Sequence, residues 1–262
     1  MSSKKKKTLQ IANGIALVSV IIINYLAASG LINGVTVGEV SARYHTYFTP
    51  AGYAFSIWSL IYLALFAFAI YQGLSLFSSK KDNDAALKIG WWFVISCLAN
   101  SLWILTWLYD LITLSVLMMI LLLFSLIQII LRTKMELHDA PLKKIAFVWW
   151  PFSLYSGWIA VALIANIAAW LTKIGWDGFG ISEISWTVIM ILAAGAINLA
   201  ITWTRNMREF ALVGVWALVA IAVANWGDVQ SIVYTAIIVA ALLFISSGIH
   251  GFKNRNSFPV KL

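Results

Sequence analysis

Long apolar runs recur along this chain, with short polar stretches between them. Eight runs are long enough to read as helices that cross a bilayer: 9–28, 51–73, 89–109, 112–132, 146–171, 184–204, 209–226 and 229–250. A helix needs about 20 mostly apolar residues to traverse the hydrocarbon core. The pattern therefore predicts an all-α polytopic membrane protein with eight transmembrane helices. The longest connections are 29–50, 74–88 and 133–145.

Composition agrees with this reading. Of 262 residues, 62% are hydrophobic and 11% are charged, against about 25% charged in a soluble domain. The net charge of +8 would hint at nucleic acid in a soluble protein, but here it orients the helices. With the N-terminus inside, Lys4, Lys5, Lys6, Lys7, Lys80, Lys81, Lys88, Arg132, Lys134, Lys143 and Lys144 fall on the inner side. Arg205, Arg208, Lys253, Arg255 and Lys261 do so too, and only Arg43 and Lys173 fall outside. Positive charge collects on the cytoplasmic side of membrane proteins, so both termini are expected there. The basic start and apolar stretch of residues 1–30 also suit a cleavable signal peptide. The run to Ala28 is long for a signal and reads as an uncleaved first helix.

The spans lack obvious reaction chemistry. No Asp, Glu, Lys or Arg lies deep in any of them, which argues against an ion-coupled pump and against a retinal protein. No carboxylate pair and no nucleophile–histidine constellation is readable, so no catalytic residue is assigned. Cys97 is the single cysteine, which excludes an intrachain disulfide, and no Cys/His cluster has metal spacing. His45, His138 and His250 each could ligate haem iron, but a lone loop histidine more often has an ordinary polar role.

What the spans do contain is tryptophan, 14 residues in all. Trp91, Trp92, Trp149 and Trp203 lie near inner span ends, and Trp107, Trp170, Trp176, Trp186 and Trp226 near outer ones. Headgroup-level aromatic belts account for these. Trp58, Trp103, Trp158 and Trp216 sit deeper. Trp58 and Trp103 fall about 10 Å below the outer boundary at the helical rise, with Tyr62 and Asn100 one turn deeper. Such groups at one level suit either a ligand cleft or plain interhelical packing with Asn as a polar link. Residues alone leave both open. They also leave open whether the 29–50 loop, with Arg43, Tyr44, His45 and Pro50, is a lid or a tether. Ala162, Ala165, Ala168 and Ala169, and likewise Ala193, Ala194, Gly195 and Ala196, read as close-packing sites.

Three motifs in register carry a resemblance. Thr49-Pro50 precedes Trp58 and Tyr62 in a W-x-x-x-Y element. Ser96, Asn100 and Trp103 follow in the third span, and Trp158 and Asn166 stand eight apart in the fifth. Over residues 8–171 the chain resembles the TspO/MBR family, the tryptophan-rich sensory proteins related to the mitochondrial translocator protein. In that family a Pro-Pro pair stands at 49–50, Gln at Ser96, and Trp just after the proline pair, where this chain has Gly52. The resemblance implies a five-helix bundle over 1–172, followed by three additional helices and a short cytoplasmic tail over 173–262, as in a longer bacterial branch. It also implies an integral sensory or binding protein of the bacterial cytoplasmic membrane. Its ligand would be a tetrapyrrole (porphyrin or haem) or a sterol-like molecule, held by Trp58, Tyr62, Asn100, Trp103, Trp158 and Asn166 beneath the first outer loop. No cofactor is required, no metal or nucleic acid is expected, and a homodimer is allowed. The alternatives are a transporter of a neutral or lipophilic solute and a light-dependent porphyrin-degrading enzyme.

Overall fold

A computed structural model describes residues 2–77 and 84–254. Lys80, Lys81, Arg255 and Lys261, four of the inner-side charges, lie outside the described residues. Among the described residues the chain is helical throughout, without strands. The long helices are α1 (Ser2–Ala28), α3 (Ile57–Phe77), α5 (Trp92–Leu108), α6 (Ile112–Thr133), α8 (Trp150–Lys173), α9 (Glu183–Arg205), α10 (Arg208–Ala224) and α11 (Gln230–Asn254). They occupy the eight apolar runs. Short helices α2 (Val37–Arg43), α4 (Ala85–Ile89) and α7 (Leu142–Lys144) lie in the three longest connections.

Six of the long helices, extended by their lead-in turns, are long and apolar enough to cross a membrane. At 17 residues each, α5 and α10 reach about 25 Å, short of a core about 30 Å thick.

Local chemistry sets the helix ends. After α8, Gly175 takes φ 69°. Its N–H donates to the Thr172 carbonyl and the Trp176 N–H to the Leu171 carbonyl, both at 3.1 Å. These are the paired bonds of a Schellman stop, which favours glycine at the left-handed position. Asp110 plays the same part in the tight turn between α5 and α6, with φ 60°. At the N-terminal end of α8, Pro151 lacks an N–H and crowds the turn before it, and that turn, Ile145–Trp149, is widened to a π-helix.

The chain forms two compact units. The first comprises Met1–Val37 and Trp58–Ser156, the second Gly38–Ile57 and Gly157–Leu262. In the first unit, α5 and α6 form a hairpin and α1 packs along α5. Its centre holds Phe68, Phe93 and Phe152, edge to face with centroids 4.9–5.6 Å apart. A polar knot joins α1 to α3. Asn13 Nδ2 donates to Gln72 Oε1 at 2.9 Å and Gln10 Nε2 to Ser75 Oγ at 2.8 Å. Amides buried in an apolar bundle must satisfy each other, so these four residues tie the pair in register.

In the second unit, α9, α10 and α11 pack on one another, with glycines at the closest approaches. A Cβ on Gly195 would lie 2.5 Å from Val239 Cγ1, and one on Gly214 2.7 Å from Asn198 Oδ1. The small-residue cluster around Gly195 is thus a packing site. The segment 38–57 belongs here and is ordered along α10. Ala51 N–H donates to the Ala220 carbonyl at 3.0 Å, and Asn225 Nδ2 to the Tyr47 carbonyl at 3.0 Å. Trp216 Nε1 donates to the Ala54 carbonyl at 3.1 Å. The apolar run 51–73 does not begin as α-helix. Its first turn, Gly52–Ser56, is a 3-10 helix that ends where α3 begins.

Candidate functional site

The first unit gathers four of the expected site residues. Trp58 and Tyr62, one turn apart on α3, share a face. Their rings stack with centroids 5.4 Å apart and planes 19° apart. Trp103 of α5 stacks on Trp58 at 6.2 Å and 26°. Tyr155, from the start of α8, meets Trp58 edge-on at 5.8 Å. Trp103 and Tyr155 are buried, whereas Trp58 and Tyr62 are half-buried. Three near-parallel rings thus form a slab with one ring closing its edge.

A polar seam borders the slab. Asn24 Nδ2 donates to Asn100 Oδ1 at 2.9 Å, and Asn100 Nδ2 donates to the Tyr155 hydroxyl at 3.0 Å. Asn100 is fully buried and is used as both acceptor and donor. The Tyr62 hydroxyl lies beside the amides of Asn24 and Asn100 but meets hydrogen-bond geometry with no group among the described residues. A buried hydroxyl left in this state costs about 1–3 kcal/mol.

Sequence reasoning missed Asn24 and Tyr155. Asn24 had a signal, since an amide near the outer end of an apolar span wants a partner at its own depth. Tyr155 stands three residues before Trp158 in the same apolar run, with no signal in spacing that sets it apart.

The other expected residues lie in the second unit. Trp158 is buried and meets Phe55 of the 3-10 turn edge-on, with centroids 6.2 Å apart. Asn166 is buried one helix stretch further on. Trp216 meets Tyr53 of the same turn at 5.3 Å and 84°. Two tryptophans therefore hold one turn, Trp158 by Phe55 and Trp216 by Tyr53 and the Ala54 carbonyl. The depth of Trp216 follows from this. Non-helical backbone within an apolar bundle must find donors in the protein, and the indole supplies one.

In the loop region, Arg43 ends α2 and is exposed, as is His45, whereas Pro50 is buried. The Lys173 ammonium lies over the Tyr44 ring, 5.6 Å from its centroid. Ser96, at the position where the family has Gln, donates to its own helix at the Phe93 carbonyl, 2.7 Å away. Gly52 is exposed, and a Cβ there would meet nothing within 4 Å, so crowding does not explain the missing family Trp. His138 lies edge-on to Trp149 at 5.2 Å, and His250 Nε2 is 3.1 Å from Asn206 Oδ1. Among the described residues no group of three His, Cys, Asp or Glu side chains could hold a metal ion.

An all-helical, multi-pass membrane protein with an aromatic slab and an amide seam is the class these features define. The family model for TSPO-like proteins matches residues 10–249, and the chain belongs to that family. The match runs through α9 and α10 and most of α11. No curated protein and no solved structure matches the chain.

Proposed function

We propose that this protein binds a flat hydrophobic ligand, a porphyrin first among them, against the Trp58–Tyr62–Trp103 slab. The observation that carries the reading is the near-parallel stack, bordered by a buried Tyr62 hydroxyl that meets hydrogen-bond geometry with no group among the described residues. Offset stacking of a planar aromatic ligand on such rings is favourable, and a ligand acceptor or donor would satisfy Tyr62. Asn24, Asn100 and Tyr155 fix the depth and tilt of the rings. Trp158 and Asn166 enter the proposal through the family resemblance. Eight spans, with both termini in the cytoplasm of a bacterium, complete the proposal. The uneven split of Lys and Arg across the runs supports that orientation.

The test is a titration of the full chain in neutral-lipid nanodiscs with protoporphyrin, followed by the porphyrin Soret band. The expected result is a saturable shift that weakens about tenfold in Trp58→Leu and severalfold in Tyr62→Phe. Unsaturable behaviour, or identical curves for all variants, would contradict the proposal. Porphyrin flux into proteoliposomes would redirect it to transport, and Soret loss that requires light would redirect it to degradation.

A further inference from the structure

The second unit contains a cavity of about 430 Å³ where the turn after α8 meets the start of α9. This is within the size range of small-molecule pockets. Trp176 and Trp186 form its aromatic wall, Leu171 and Met190 contribute apolar surface, and Asp177 and Glu183 bring charge. No Lys or Arg is among the lining residues.

The wall is preset by the protein itself. Trp186 Nε1 donates to the Gly178 carbonyl at 2.8 Å. Gly178 has φ 69°, and a Cβ there would press on the indole at 3.3 Å. Trp176 packs against Trp186 with centroids 5.3 Å apart. Asp177 Oδ1 accepts from the Phe179 N–H at 3.0 Å, which closes the turn.

The polar groups are acceptor-rich. Glu183 Oε1 accepts from the Tyr47 N–H at 3.4 Å, and neither carboxylate makes a further hydrogen bond or ion pair among the described residues. The lining hydroxyls of Thr172 and Thr187 are spent on their own helix, at the Ala168 and Glu183 carbonyls. Lys173, one residue from the lining, is drawn over Tyr44. Indole faces, two carboxylates, committed donors and an apolar floor together suit a positive charge carried on an apolar body. Asp177 and Glu183 are exposed and the two indoles half-buried, and aromatic faces attract cations through the ring quadrupole.

We propose that this cavity binds a lipophilic organic monocation, with its charge against Trp176, Trp186 and Glu183 and its apolar body along Leu171 and Met190. The site shares no residue with the porphyrin slab, so the two readings stand or fall separately.

The test uses the full chain in neutral-lipid nanodiscs and tetraphenylphosphonium, with tetraphenylborate as an anion of matching shape. Saturable binding of the cation but not of the anion is expected. Trp176→Leu should weaken it about fivefold, and Glu183→Gln by a similar factor. Trp58→Leu should leave it unchanged. A short-chain phosphocholine lipid that displaces the probe assigns the cation to a lipid headgroup. Failure of that lipid to compete assigns it to a free lipophilic cation. Equal binding of both tetraphenyl ions, or an affinity untouched by both Glu183→Gln and Trp176→Leu, overturns the proposal.

Discussion

The two units use tryptophan for different ends. In the first, Trp58 stacks on Tyr62 and Trp103, ring on ring with planes within 26°, and the polar groups nearby are side chains. In the second, Trp158 and Trp216 meet the rings of one short turn edge-on, and the Trp216 indole hydrogen-bonds its backbone. The first arrangement leaves half-buried faces of a kind a planar ligand can use. The second adds an indole donor to a turn carbonyl that also accepts from the Ile57 N–H. Whether a deep tryptophan is a wall or a strap is decided by what its edge and face touch.

The largest expected effect breaks the strap. Trp216→Leu removes one of two donors to the Ala54 carbonyl and the edge contact with Tyr53, at a cost of about 1–2 kcal/mol. Its thermal midpoint in detergent should fall by several degrees, while porphyrin affinity below that midpoint falls less than threefold. Trp58→Leu should do the reverse, with affinity down about tenfold and a smaller stability loss of about 1 kcal/mol. A pair of variants with matched losses on both readouts would erase the distinction.

Asn100→Ala tests the seam. It leaves the Asn24 amide and the Tyr155 hydroxyl without their partner, and polar links inside membrane bundles are worth about 1 kcal/mol. Its denaturation midpoint should shift by that much, and the double variant with Tyr155→Phe should cost less than the sum of the two. Tyr62→Phe removes a hydroxyl that meets hydrogen-bond geometry with no group among the described residues, so stability should hold or rise slightly while porphyrin binding weakens severalfold.

The smallest effect lies outside the bundle. Partial burial alone would raise the Asp84 carboxyl, but the hydrogen bond and charge of Lys88, 2.6 Å away, outweigh it and hold it below its ordinary value. A carboxylate depressed in this way stabilises the fold above its unfolded pKa, and the contribution is lost as pH falls through the folded value. The pair is half-exposed and four residues apart on a helix, so it is worth only about 0.3–0.5 kcal/mol. Asp84→Asn should lower stability at neutral pH by about that amount and flatten its acid limb below about pH 4.

The apolar runs made the eight helices legible, because a bilayer demands long uninterrupted segments and leaves little freedom in where they fall. The short turn at Asp110 and the close-packing site at Gly195 were legible for similar local reasons. So was the set of Trp58, Tyr62, Asn100 and Trp103, through their spacing and depth. Its completion was not. Asn24 and Tyr155 join it from α1 and α8, and which amide finds which hydroxyl depends on helix rotation that no single run encodes. The role of Trp216 was hidden for another reason. Its partner is the Ala54 backbone, and a carbonyl's need for a donor leaves no mark on residue type. The 29–50 connection, left open as lid or tether, contains α2 and continues into a turn held by α10.

The most direct test of the slab is fluorine NMR of the full chain labelled with 5-fluorotryptophan in nanodiscs, titrated with protoporphyrin. Resonances are assigned by single Trp→Leu variants. If the slab is the ligand wall, the Trp58 and Trp103 resonances shift together and saturate at one concentration while Trp216 stays in place. Movement of Trp216 with Trp58 and Trp103 unmoved would contradict the account.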